Sequence, residues 1–216
     1  MTSGDLLALF RREMNDTEEP QLWSDDDFYS YLTDAQRMFC RKTDNIGDAT
    51  TPEVVNISVV ANTEWYPSHK SILKVRACSR LDTGADVDVL NREDMAGKNM
   101  RFDGRTGPVK ALIIGMEPHR VRVWPVPNED VTLQLLVFRL PLQAITDDQE
   151  LEIDEQHHEH LLHWVKHRAY SKQDAEAFDK TKAADFEQKF NAYCEMAKVE
   201  QRRARHKPRA TEYGGY

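Results

Sequence analysis

Apolar positions along the chain change their period twice. Leu6, Leu7, Phe10 and Met14 recur at helical spacing, and Thr2 with Asp5 ahead of them forms a candidate capping box. A second helical start is better marked. Ser24 can cap it, Asp25, Asp26 and Asp27 suit its positive dipole end, and Trp23 can staple onto Phe28. Phe28, Tyr31, Leu32, Ala35, Met38 and Phe39 then mark one apolar face.

After Gly47 the period becomes two. Val55, Ile57 and Val59 alternate with Asn56, Ser58 and Val60, and Leu73, Val75 and Ala77 alternate with Ile72, Lys74 and Arg76. Short apolar runs follow at Val87–Leu90, Val109–Ile114, Val121–Trp124 and Val131–Leu140. Turn residues stand between them at Trp65–Pro67, Asp82–Gly84, Asp103–Gly107 and Pro125–Asn128. Short strands with turn chemistry between them predict an antiparallel β lobe over residues 47–146.

Helical spacing returns in the last third. Asp147–Glu155 is an acidic connector with six carboxylates and no basic residue. A helix is expected over His158–Tyr170, and Ser171 with Asp174 offers another capping box. Phe178, Phe186, Phe190, Tyr193 and Ala197 space along a final helix. Run unbroken from Asp174 to His206, it would measure ~50 Å, longer than the ~45 Å diameter of a compact chain this size. Its apolar stripe stops near Val199, so the end is expected to project. The fold class read from these patterns is α+β, a helical body built from both chain ends with an inserted β lobe and a projecting C-terminal helix or tail. The segments are 1–46 (N-terminal helices), 47–146 (β lobe), 147–200 (C-terminal helices) and 201–216 (basic extension).

Composition narrows the function. The 216 residues are 40% apolar and 31% charged, enough for a core, and the formal charge of −8 argues against the whole chain binding nucleic acid. Cys40, Cys78 and Cys194 are odd in number and far apart, which suggests neither a disulfide framework nor a structural zinc. The N-terminus lacks the basic start and apolar stretch of a signal peptide. Runs such as Leu135–Phe138 fall far short of the ~20 residues that span a bilayer. A soluble protein from a reducing compartment, without membrane or cofactor, is expected.

Three constellations can carry chemistry. Leu81-Asp82-Thr83-Gly84-Ala85-Asp86 resembles the active-site loop of retroviral-type aspartic proteases, in which two carboxylates share one proton, and Ile113-Ile114-Gly115 resembles that family's second stretch. Yet too few residues separate the two for the intervening strands, and Asp-Thr-Gly also reads as a polar turn. His160, His163 and His167, at i, i+3 and i+7 beside His157 and His158, share a helical face that can present imidazoles to a metal or simply face solvent. Between Lys198 and Arg209 six Lys/Arg stand against one Glu, a basic stretch able to contact DNA phosphates or an acidic protein surface.

Four stretches in order resemble the head-to-tail adaptors of tailed phages, also called tail accessory factors or connectors, most of all those of podoviruses. They are Leu6–Glu13 with Leu22–Asp26, then Tyr31–Gln36, then Val137–Leu142, and finally His158 with Leu161-Leu162 leading into Arg168–Asp174. The resemblance implies a structural, non-enzymatic subunit at the head-tail interface of the virion, made in the bacterial host cytoplasm. Its implied partners are itself, as a ring and typically a homododecamer, the portal protein, and a tail or nozzle protein. Double-stranded DNA would pass through the lumen without sequence-specific contact, and the ring would extend the DNA channel, help retain the genome and serve its ejection. The C-terminal segment would bind portal, here through Arg202, Arg203, Arg205, Lys207, Arg209, Tyr213 and Tyr216. Relatives near the enterobacterial prototype are almost wholly helical, so no family residue carries onto the β lobe. Some relatives are credited with cell-wall hydrolase activity, but no defensible acid-base pair of carboxylates supports it here. The alternatives are an aspartic protease using Asp82, a metal site at His160, His163 and His167, and a basic-tailed DNA-binding protein.

Overall fold

The computed structural model describes residues 1–97, 104–173 and 177–205. In chain order the elements are α1 (Ser3–Met14), α2 (Asp25–Thr43), β1 (Ile46–Asp48), α3 (Pro52–Val55), β2 (Asn56–Val59), β3 (Trp65–Pro67), β4 (Ile72–Arg80), β5 (Asp86–Leu90), α4 (Arg92–Gly97), β6 (Thr106–Gly107), β7 (Ala111–Glu117), β8 (Arg120–Trp124), β9 (Val126–Pro127), β10 (Val131–Arg139), α5 (His158–Ser171) and α6 (Lys180–Arg205). The fold is α+β. It forms two compact units, one from Met1–Asn45 with the chain from Gln143 onward, the other Ile46–Leu142.

In the helical unit the two N-terminal cap signals act as read. Thr2 and Asp5 close the capping box of α1, and the Ser24 hydroxyl accepts from the Asp27 N–H at 3.1 Å to start α2. Leu6, Phe10, Phe28, Leu32, Ala35 and Phe39 are fully buried. Trp23 and Phe28 each pack on Phe10, with ring centroids 5.8 and 5.2 Å away. The link between α1 and α2 is held by a buried ion pair. Arg11 joins Asp16 through Nη1 and Asp25 through Nη2, the latter at 2.6 Å, while Asp16 accepts the Leu22 N–H at 2.8 Å.

Side chains then stitch α5 onto this pair. Trp23 Nε1 donates to the Ala169 carbonyl at 3.2 Å, Trp164 Nε1 donates to Asp34 at 2.8 Å, and Lys166 pairs with Glu13. α6 begins later than the sequence suggests. Ser171 ends α5 and its hydroxyl donates to the His167 carbonyl, while Asp174 lies outside the described residues. The cap of α6 is Asp179, whose Oδ1 accepts the Thr181 and Lys182 N–H groups at 3.0 Å. Phe178 therefore precedes the helix and is 54% exposed. Over its 26 described residues α6 is ~39 Å long.

The β unit is one curled sheet in the order β1-β10-β4-β5-β7-β8-β3, with β2 also on β10, plus the small β6/β9 pair. It is mostly antiparallel, but β5 and β7 run parallel, as do β6 and β9. A parallel pair needs a long crossover, and the stretch from Leu90 to Ala111 supplies one that includes α4. Two expected features change. Trp65–Pro67 is a strand, not a turn, and Val55 closes a single helical turn before β2. On β4 the register against β10 slips, because Ala77 faces Leu136 but Val75 faces Val137. The bulge shifts the inward phase, so Cys78 is buried and Ala77 exposed. Gly115, at φ +76°, sits at another irregularity, between Ile113 and Glu117 of β7.

Removing one partner of a buried ion pair strands the other, so Asp16→Ala should cost about 3 kcal/mol in urea unfolding. Asp26→Ala, at an exposed position of the next helix, should stay within about 0.5 kcal/mol. Equal effects would show that the Arg11 node does not hold the link.

Candidate partner-binding site

The three constellations separate in space by local chemistry. Asp82 sits in the turn after β4 with a side chain 52% exposed. Arg80 grips both its oxygens, Nε to Oδ1 at 3.1 Å and Nη2 to Oδ2 at 2.8 Å, and also binds Glu129 at 2.7 Å. This guanidinium lowers the Asp82 carboxyl to about 2. A carboxylate fixed as an anion by an arginine fork is the opposite of one that shares a proton with a second carboxyl. Ile113 and Ile114 belong to β7. The Asp-Thr-Gly turn is thus a strand connection whose Gly84 takes φ +69°.

The histidines line the α5–α6 seam. His160 stacks on Tyr193 at 3.6 Å, His163 on Phe186 at 6.3 Å, and His167 Nδ1 donates to the Ala183 carbonyl at 2.9 Å. His157 is buried against Phe39 and shares a 2.8 Å hydrogen bond with the Tyr193 hydroxyl. Nδ1 of His163 is buried and, among the described residues, meets no hydrogen-bond partner. Burial lowers the pKa of both His157 and His163. Among the described residues no group of three His, Cys, Asp or Glu side chains converges as metal ligands. Cys40, Cys78 and Cys194 are buried, and burial raises the thiol pKa of the last two to about 12.

The basic end of α6 is surface. Ala197 is its last buried residue; Met196 and Val199 lie 55% and 43% exposed, and Arg202, Arg203 and Arg205 are exposed. Arg205 Nη2 nevertheless donates to the carbonyl of Asp44, the left-handed residue that ends α2, at 2.8 Å. The described helix is therefore fastened at that point. Lys207, Arg209, Tyr213 and Tyr216 lie outside the described residues.

One feature of the helical unit is not legible in local sequence. Asp26, Tyr29, Ser30, Thr33, Asp34 and Arg37 form one polar face of α2, and with Ala144–Asp147 and Arg168 they line a cleft of about 640 Å³. The Ile145 N–H donates to Thr33 Oγ1 at 2.9 Å, closing the floor. The Tyr29 hydroxyl donates to Asp147 at 2.8 Å; burial, then Asp147, Asp25 and Asp148, raise its pKa. The i, i+3, i+4, i+7 spacing of the α2 polar face was the available signal, but nothing in sequence tells which segment lies across it. Among the described residues no helix is long and apolar enough to cross a membrane.

The basic helix end is thus exposed, the α2 cleft is lined by both carboxylates and guanidinium groups, and the protease-like aspartate is held as an anion by arginine. Over residues 1–212 the chain matches the family model described as SU10 adaptor protein, and it belongs to this family of phage head-to-tail adaptors. Comparison with curated proteins returns no match. The resemblance read from the four sequence stretches is borne out. The family is structural, so the chain is a phage adaptor and a component of the virion.

The seam sets a pH dependence. Because His157 and His163 titrate lower when folded, the unfolded chain binds more protons below about 6.5. Their contribution is full above that pH and is lost as pH falls toward the folded values. Thermal midpoints at pH 7.5 and 5.5 should therefore differ, with the acid value lower. His163→Leu should raise the midpoint at both by of the order of 1 kcal/mol equivalent and narrow the gap. An unchanged gap would assign the acid sensitivity to other groups.

Proposed function

We propose that the protein assembles as a ring, a homododecamer, beneath the portal vertex, joins portal to a tail or nozzle protein and continues the DNA channel between them. The observation that carries this reading is the family match over nearly the entire chain. The ring contacts are heterologous, each subunit using two different faces, as any closed ring of more than two copies requires. The acidic balance of −8 suits a lumen that lets DNA slide during packaging and ejection instead of gripping it. Host synthesis in the bacterial cytoplasm follows from the same reading.

The C-terminal stretch is the portal-binding element in this proposal, through Arg202, Arg203, Arg205, Lys207 and Arg209, with Tyr213 and Tyr216 as aromatic anchors. The exposure of the first three supports it. A chain ending at Val199 keeps every buried contact of α6, whose last is Ala197, and loses the Arg205 bond to Asp44. That truncation should give an unchanged far-ultraviolet spectrum but no longer associate with cognate portal in native mass measurements. The full chain should become a stoichiometric ring on portal. Normal association of the truncated protein would remove the C-terminal stretch from the interface, and a full chain indifferent to portal would remove the ring.

A further inference from the structure

Charge is unevenly divided along the chain. Residues 46–142 hold twelve Asp/Glu and twelve Lys/Arg, so the whole formal charge of −8 belongs to the remainder. Within that remainder the stretch 198–209 has six Lys/Arg and one Glu, leaving the other residues with twenty-four Asp/Glu against eleven Lys/Arg. Bodies so acidic repel when brought side by side. A neighbour that presents its own basic helix end relieves the repulsion, and every copy has one.

The exposed face of α6 has the form such a contact needs. Ala192, Met196 and Val199 are exposed at i, i+4 and i+7 on the side away from the buried Phe190, Cys194 and Ala197, and Arg203 continues the stripe one turn on. Among the described residues this apolar strip, about two turns long and ending in positive charge, is left uncovered. The α2 cleft offers carboxylates to the basic end of this strip and Ala144 and Ile145 to its apolar part. It is open, walled by the α2 polar face, floored by buried Ile145 and Thr33, and edged by Asp26, Asp34 and Asp147, with Asp25 and Asp148 close enough to act on Tyr29. Arg37 and Arg168 also line it, so its negative end is the one at Tyr29 and Asp147.

We infer that the Met196–Val199–Arg203 face of α6 in one copy docks into the α2 cleft of the next copy, making this the lateral, self-propagating contact of the assembly. The inference rests on the ring reading and reassigns one residue of the basic stretch: Arg203 faces the neighbouring copy, while Arg202, Arg205 and the residues beyond remain for portal. Strip and cleft lie on one chain and differ from each other, so the contact is heterologous and can close a ring. An apolar centre with a charged rim is the anatomy of a specific protein interface.

The test uses the full chain assembled on its cognate portal, with a photo-crosslinking amino acid at position 199 and an equal mixture of light and heavy-isotope protein. The expected product joins residue 199 to peptides from 26–37 or 144–147 in mixed light-heavy pairs, which marks a contact between copies. In parallel, Arg203→Glu should abolish the ring mass at the concentration where wild type assembles, and adding Asp26→Lys should restore it in the double variant. Cross-links to portal alone, or to other segments of a second copy, would overturn the docking while leaving the adaptor reading intact. A wild-type chain that forms no ring would overturn both.

Discussion

The helical unit depends on a closure. α1 and α2 come before residue 46, α5 and α6 after residue 142, and the two pairs close into one compact unit. What joins them is largely aromatic and directional. The two indole N–H groups of Trp23 and Trp164 each find an oxygen across the seam, while Phe39 meets His157 and Tyr193. A buried indole without a partner would carry a desolvation cost of about 1–3 kcal/mol, so these bonds fix how the helices seat as well as whether they do. Both the basic end of α6 and the α2 cleft are positioned by that seating.

The second unit solves a different problem with one strand. β10 is paired along one side by β1 and β2 and along the other by β4, so both ends of the inserted chain are tied to its last strand. The buried pair of Arg139 with Asp48, at 2.6 Å, sits where β1 meets β10. Two Thr N–H groups and this arginine hold the Asp48 carboxyl well below the usual range, against the opposing pull of burial. The unit is electrically balanced, so the surplus negative charge is left to the rest of the chain.

Charge and packing therefore divide the work. Positions that carry the fold are apolar or paired within their own unit, as with Arg11 and Asp16. Positions that carry the proposed function, Met196, Val199 and Arg203, are those the fold leaves at its surface.

Much was legible in the chain alone. Thr2 with Asp5 and Ser24 with its three aspartates mark helix starts because a cap is decided within four residues, and no tertiary contact has to be known. The α+β class follows from the change of period, and the adaptor family from ordered stretches spread over the molecule. Other features depend on partners distant in sequence. That Asp82 is held by Arg80 and shares no proton required the turn geometry. That His160 and His163 stack on Tyr193 and Phe186, and that His167 donates to the Ala183 carbonyl, required α6 to lie along α5. Ala77 and Cys78 exchange faces through a bulge that only the register with β10 reveals. The cleft on α2 appears only when Ala144–Asp147 crosses a helix more than a hundred residues earlier. Local chemistry decides where elements begin; only the packing of remote segments decides which of their faces remain free to bind.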